Sequence, residues 1–278
     1  ETDRCIYVKT FADGTYIVIS TYVDDCLAGH TTSDAGSAHY ADFMRDLEAD
    51  FDVKDMGIAS TSLGININHG ADGSIMIEQS DCIKAAGEIY GMQDQKPFEF
   101  PMVESLSLSK ADSSKTDADT AFMQGKNYKE LVGKLLYIAT MTRPDVATAT
   151  SMLASFMDKP GPKMWKAGMR VMNYLYHTRD VGITYRRGNN VLIVSGDADL
   201  SANKDSRRSR SGVVLMVNGG AVGWKSRLQP SVALSSAEAE YYSAALACCE
   251  TMFHRQIMED MHAKQILPTP MLEDNQGC

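Results

Sequence analysis

Two adjacent carboxylates, Asp24 and Asp25, sit inside TYIVISTYVDDCLAGH (residues 15–30), a run that is otherwise apolar and strand-forming. Strands favour β-branched and aromatic residues and are depleted in Asp. An unpaired charge is expensive to bury, so the pair asks for compensation, and a divalent cation is the natural candidate. A third acidic position, Asp197, closes the apolar run 191–194 through Ser195 and Gly196, where a strand end would hold a ligand rigidly. Asp199 would share its face if the strand continued, and is a turn residue if it did not. Farther on, Ser235 opens a helical pattern that carries Glu238 and Glu240. Residues two apart on a helix point about 200° apart, so both cannot face one site. Ser235 and Glu238 fit the S-x-x-E capping box, which leaves Glu240 for chemistry. Asp274 ends the last predicted strand.

The elements that must position these side chains follow from periodicity and turn residues. Residues 5–9 and 16–22, joined by Ala12-Asp13-Gly14, read as a β-hairpin. Asp24-Asp25 then forms the next turn, and 26–29 a third short strand. A helix is predicted over 34–50 and a strand around 63–67. Between Lys96 and Lys126 the composition shifts to Ser, Asp, Lys and Thr behind Pro97 and Pro101, the pattern of a linker. Leu131, Leu135 and Ile138, then Trp165, Met169, Met172 and Tyr176, recur at helical steps, so Trp165 and the methionines read as core. A strand over 191–194 precedes a hairpin, 213–217 and 221–226, whose Asn218-Gly219 supplies the positive φ that a tight turn needs. A helix from 235 to about 263 and a strand over 271–274 complete the pattern.

The chain has 278 residues, 44% hydrophobic and 23% charged, enough for a packed core and about two domains. Its net charge of −9 argues against tight binding to a polyanion without a cation or a local basic patch. The six cysteines include Cys5, Cys26, Cys278 and no C-x-x-C pair, a pattern of free thiols in a reducing compartment. No apolar run approaches the roughly 20 residues needed to span a bilayer. The first residue is Glu1 rather than Met, which suggests a piece of a longer chain.

Tyr22-Val23-Asp24-Asp25 between two strands resembles the Y-x-D-D motif of reverse transcriptases. Residues 128–138, YKELVGKLLYI, followed by Thr142-Arg143-Pro144-Asp145, resemble the "Y-x-x-L-V-G-x-L-x-Y-L … T-R-P-D" block of Ty1/copia-type retrotransposon Pol polyproteins. So do Asp197-Ala198-Asp199, Ser209-Arg210-Ser211-Gly212 and Trp224-Lys225-Ser226. The run 232–241, VALSSAEAEY, matches the family's "V-A-L-S-S-x-E-A-E-Y", and Asp274-Asn275-Gln276 its "D-N-Q". Order and spacing agree from about Cys5 to the last residue.

The resemblance implies an α/β (α+β) fold. A reverse-transcriptase palm remnant would occupy 1–105, a linker with thumb or connection helices 106–188, and a truncated ribonuclease H-like mixed sheet 189–278. It implies RNA-directed DNA polymerase and RNA–DNA hybrid ribonuclease chemistry with Mg²⁺ or Mn²⁺ in two-metal sites. Asp24 and Asp25 would serve the first site, and Asp197, Glu240 and Asp274 the second. The implied partners are an RNA template, a DNA primer, the RNA–DNA hybrid and the rest of the Pol polyprotein, with no membrane. The implied setting is the cytoplasm, within a virus-like particle, or the nucleus. Lys204, Arg207, Arg208 and Arg210 follow Asp197, and Lys225 and Arg227 lie on the neighbouring hairpin; these would contact phosphates, with a solvated loop as the alternative. Lys54 reads as a surface lysine, with a place lining the polymerase site as the alternative, and Leu63-Gly64-Ile65 occupies the place of the family's primer-grip hairpin. Both sites are expected to be incomplete, with a third polymerase aspartate falling before Glu1 and a fourth ribonuclease carboxylate after Asp274. Leu200 stands where the family usually has Trp. A catalytically incomplete or domesticated remnant that binds nucleic acid or a partner, and a decayed reading frame, therefore stay open beside an enzyme fragment.

Overall fold

The computed structural model describes residues 2–103 and 106–275; Gln276 and Cys278, both singled out in the sequence, lie outside them. The chain is a mixed α/β protein that packs as two units, residues 1–63 with 252–268, and residues 64–251 with 269–278. This division follows packing and leaves the three-part scheme of the sequence reading a proposal.

In the first unit β1 (Ile6–Thr10), β2 (Tyr16–Tyr22) and β3 (Asp25–His30) form an antiparallel sheet in that order. Asp13 sets the first turn by accepting from the Thr15 N–H and hydroxyl at 3.0 and 2.7 Å. Helix α1 (Asp34–Asp50) covers the predicted span, and the Ser33 hydroxyl accepts from the Gly36 N–H at 3.0 Å as an N-cap should. A Cβ at Gly36 would lie 2.1 Å from the Thr31 carbonyl oxygen, so only glycine fits where this helix starts. A two-residue strand, β4 (Thr61–Ser62), comes next. The chain returns at the far end, where His262 stacks on Tyr16 and meets the Thr10 hydroxyl at 2.8 Å. Among the described hydrophobic side chains of this unit only Ile17 is buried.

The second unit begins with antiparallel strands β5 (Ile65–His69) and β6 (Ile75–Glu78), the latter also paired with β7 (Ile183–Tyr185). Helices α2 (Ser80–Ile89), α3 (Asp117–Met123), α4 (Tyr128–Met141), α5 (Ala147–Ala154) and α6 (Pro162–His177) build its main core. The predicted stripes point inward, with Leu131, Leu135, Ile138, Trp165 and Met172 all buried. The linker expectation for 96–126 is corrected. Met102, Leu106, Leu108, Phe122 and Met123 pack on the core, and capping boxes at Ser109–Asp112 and Thr116–Asp119 nucleate short helical turns there. Polar composition had masked those few apolar anchors.

A four-stranded sheet follows, of β8 (Leu192–Asp199), β9 (Arg210–Val217), β10 (Gly220–Leu228) and β11 (Met271–Leu272). Its order is β10-β9-β8-β11, with β11 parallel to β8 and the other pairs antiparallel. The β9–β10 turn is the predicted one, with Asn218 and Gly219 at φ 52° and 84°. β8 extends past the predicted 194 to Asp199, because it stays in register with β9 to its last residue, which faces Arg210. Helix α7 (Ser236–Asp260) begins in this unit and continues past Thr251 into the first.

The family motifs that carry no acidic site residue act as clasps within this second unit. Arg143, 1% exposed, makes two bonds to Asp145 at 2.9 and 2.7 Å and two to Thr178 at 2.9 and 2.8 Å, tying the end of α4 to the end of α6. Trp224 donates through Nε1 to the Ala139 carbonyl at 2.7 Å, and Thr148 donates to the Ser226 hydroxyl at 3.1 Å. The helices α4 and α5 are thus fastened to β10.

Candidate metal centre

Asp197, Glu240 and Asp274 come from β8, α7 and the residues just after β11, and each offers a carboxylate oxygen within 4.8 Å of the others. The positions follow from local structure. On β8, Leu192, Val194 and Gly196 are buried while Ile193, Ser195, Asp197 and Asp199 are exposed, so period-2 alternation presents Asp197 on the open face. Three residues after Glu240 on the helix, buried Ser243 accepts from the Asp197 N–H at 3.1 Å. It also lies within hydrogen-bonding distance of the Asp197 and Gly212 carbonyls, at 2.7 and 3.1 Å. Buried Gln229 donates to the Ala239 carbonyl at 2.8 Å and to the Ser211 hydroxyl at 3.0 Å, anchoring the first turn of α7 to the sheet. Ser243 and Gln229 were missed in the sequence; the i, i+3 spacing from Glu240 was the available signal for Ser243.

The separation of the two helix glutamates holds. The Ser235 hydroxyl accepts from the Glu238 N–H at 3.1 Å, and the Glu238 carboxylate accepts from the Leu234 N–H at 2.7 Å, one residue earlier than a standard capping box. Glu240 turns the other way and is 5% exposed. Burial pushes its carboxyl up to about 7, and the charges of Glu273, Asp197 and Asp274 push in the same direction, against a contact with the Ala198 N–H. Its Oε2 atom is buried without a hydrogen-bond partner. A donor set of carboxylate oxygens with an unsatisfied buried oxygen suits a hard divalent cation such as Mg²⁺ or Mn²⁺. Glu273, whose Oε2 is also buried and unpartnered, went unnoticed in the sequence beside Asp274.

Asp24 and Asp25 stand differently. The turn is Val23-Asp24, and Asp25 already begins β3 opposite Tyr22. Tyr22, Val23, Asp24 and Asp25 are all exposed. The burial cost inferred for these aspartates is therefore corrected, because a hairpin tip lets both carboxylates stay in water. Val23 takes φ 56°, a left-handed value that β-branched residues rarely adopt. Among the described residues the 197–240–274 group is the one metal-capable cluster of at least three ligands.

The basic residues divide. Lys204, Arg207 and Arg227 are exposed and Arg208 is half-buried. Lys225 pairs with Glu250. Arg210 is buried, donating to the Ser151 hydroxyl at 2.8 Å; it belongs to the packing of β9 on α5, which corrects its place among phosphate contacts. Lys54 is exposed.

Comparison with known proteins gives the lineage. The model of the reverse transcriptase (RNA-dependent DNA polymerase) family matches residues 1–104. Over 265 residues the chain is 31% identical to the retrovirus-related Pol polyprotein from transposon TNT 1-94 of Nicotiana tabacum, covering 95% of this chain but 20% of that polyprotein. It is 30% identical over 247 residues to a protein named for transposon Ty5-1 in Saccharomyces cerevisiae, covering 88% of this chain and 77% of that one. It is 39% identical over 132 residues to the secreted RxLR effector protein 161 of Plasmopara viticola, covering 47% of this chain and 93% of the effector. No solved structure matches. The match thus runs nearly end to end in this chain while spanning about a fifth of the tobacco polyprotein. The chain belongs to the copia-type retrotransposon Pol polyprotein family and carries a reverse transcriptase-like domain.

Proposed function

We propose that this chain is part of an RNA-directed DNA polymerase and RNA–DNA hybrid ribonuclease. In this reading Asp197, Glu240 and Asp274 form a ribonuclease H-type centre, and Asp24 with Asp25 forms part of a polymerase site. The observation that carries it is the meeting of three carboxylates from separate elements around the buried, unpartnered Glu240 oxygen. The mixed sheet, with β11 parallel to β8, supports a ribonuclease H-like domain over 189–278, preceded by connection helices over 106–188 and a palm portion over 1–105. Divalent cations held there would activate the attacking oxygen and stabilise the charge of the departing one. Asp197 and Asp274 would hold the metal from the open side, and Glu240 from beneath. Lys204, Arg207 and Arg208 would position the hybrid through its phosphates without reading sequence. Its setting would be the cytoplasm, in a virus-like particle, or the nucleus, with the remaining Pol domains as partners.

The test is cleavage of an RNA–DNA hybrid in Mn²⁺ by the chain and by its Asp197→Asn variant. Metal-dependent cleavage that the variant lacks is the expected result. Hybrid binding without cleavage, equal in both, would favour a binding module. One observation speaks for that second reading: a stretch of this family equivalent to about half of this chain makes up nearly all of a protein named as a secreted effector.

A further inference from the structure

We propose that Glu273 is a further ligand for the divalent cation at this centre, so that four carboxylates rather than three face it. The inference rests on the metal-centre reading above and extends it to a residue next to a matched motif position. The register of β11 against β8 pairs Met271 with Val194 and Leu272 with Ser195. Carried two residues past the end of β11, that register would set Asp274 beside Asp197 and Glu273 beside Gly196. Val194 and Gly196 lie on the buried face of β8, the side where Ser243 and Ala247 of α7 lie against Gly196. In that register Glu273 would face the layer between sheet and helix, in keeping with its buried Oε2 atom.

A carboxylate in that layer needs a partner. One oxygen of Glu273 accepts from the Asn275 N–H at 3.3 Å, and the other is buried with none. None of the ion pairs among the described residues includes Glu273 or Glu240. Glu240 feels the charge of Glu273 more strongly than that of Asp197 or Asp274. Two buried, unsatisfied carboxylate oxygens thus belong to neighbouring like-charged groups, at the edge of a cluster already able to hold a metal. Glu273 lies outside the group of three whose oxygens come within 4.8 Å of one another, so it would swing in to share a cation with Glu240, and carboxylate oxygens are the ligands Mg²⁺ and Mn²⁺ prefer.

The experiment is a Mn²⁺ titration of the full chain, read by the electron paramagnetic resonance of free Mn²⁺ and by the Mn²⁺-dependent rise in Tm. Glu273→Gln is expected to weaken Mn²⁺ binding about tenfold or more, Asp197→Asn to remove it, and Glu238→Gln, in the helix cap, to leave it unchanged. Wild-type affinity in Glu273→Gln, with binding still lost in Asp197→Asn, overturns the role of Glu273 and spares the centre. Unchanged affinity in both overturns the centre itself. Glu273→Asp keeps the charge and withdraws it by one methylene, so it serves where the Gln variant does not fold. Weakened binding there supports the assignment, and undiminished binding overturns it.

Discussion

The hairpin carrying Asp24 and Asp25 and the centre formed by Asp197, Glu240 and Asp274 show how differently one chain can support its carboxylates. In the first pair Asp24 ends the two-residue Val23-Asp24 turn and Asp25 opens β3, both exposed, in a unit whose described buried hydrophobic side chains reduce to Ile17. Val23, the other turn residue, takes a left-handed φ and is 91% exposed. The second group draws on a strand bonded on both sides, a helix fastened by Ser243 and Gln229, and a helical core of fully buried Leu, Ile, Val and Met. Ligand rigidity comes from the residues that lock the ligand-bearing elements. The second region has that support within its own unit, and the first has little.

The largest expected effect tests whether the second region owes its order to its clasps. Arg143→Ala should cost about 2–4 kcal/mol, since it removes a buried guanidinium with four hydrogen bonds and leaves partly buried Asp145 to the Tyr174 hydroxyl. Chemical denaturation monitored by Trp165 and Trp224 fluorescence measures it, and a cost below about 1 kcal/mol would mean the clasp is ornamental. The same contact holds the Asp145 carboxyl below the usual carboxylate range, with Tyr174 adding to it and burial opposing. That increment of stability is therefore present above the ordinary Asp value and lost as pH falls through the depressed one.

A middle-sized effect, of about 1–3 kcal/mol, concerns pH and metal together. Folded Glu240 holds its proton up to about 7 against an ordinary value of 4.5. Between those values the native state binds more protons at Glu240 than the unfolded state does, so the contribution of this group to metal-free stability is greatest below about 4.5 and declines as pH rises towards 7. Melting curves across that window should show the decline, Glu240→Gln should flatten it, and Mn²⁺ should reverse it in the wild-type chain alone. A flat wild-type profile without metal would sink the idea.

The smallest effects belong to the first region and sharpen the contrast. Val23→Gly should stabilise the hairpin by about 0.5–1 kcal/mol, since relief of the positive φ outweighs the added freedom of glycine when unfolded. Asp24→Asn should change stability by no more than about 0.5 kcal/mol, as surface substitutions do, and leave the Mn²⁺ response intact. Micromolar Mg²⁺ affinity that disappears in Asp24→Asn would show this hairpin to be a stronger metal site than its exposure implies.

Much of this was legible in the residues. The hairpins, α1, the stripes of α4 and α6 and the Asn218-Gly219 turn follow from local periodicity and turn chemistry, which depend on few neighbours. That Glu238 turns to the helix cap and Glu240 away from it needed only helix geometry and a capping box. The linker expectation failed because isolated apolar anchors such as Leu108 and Phe122 carry no period to read. Arg210 looked like a phosphate ligand since charge is visible in a sequence and burial is not.

By itself the sequence determined the lineage of the chain, the place of Asp197 just after an apolar strand and the opposed directions of Glu238 and Glu240 on their helix, because each rests on residues near one another along the chain. The tertiary structure alone decided that Asp197, Glu240 and Asp274 converge, that Arg210 is a packing residue, and that an oxygen of Glu273 is buried without a partner. Those outcomes depend on which elements pair and stack across tens of residues, and contacts at that separation leave no local signature.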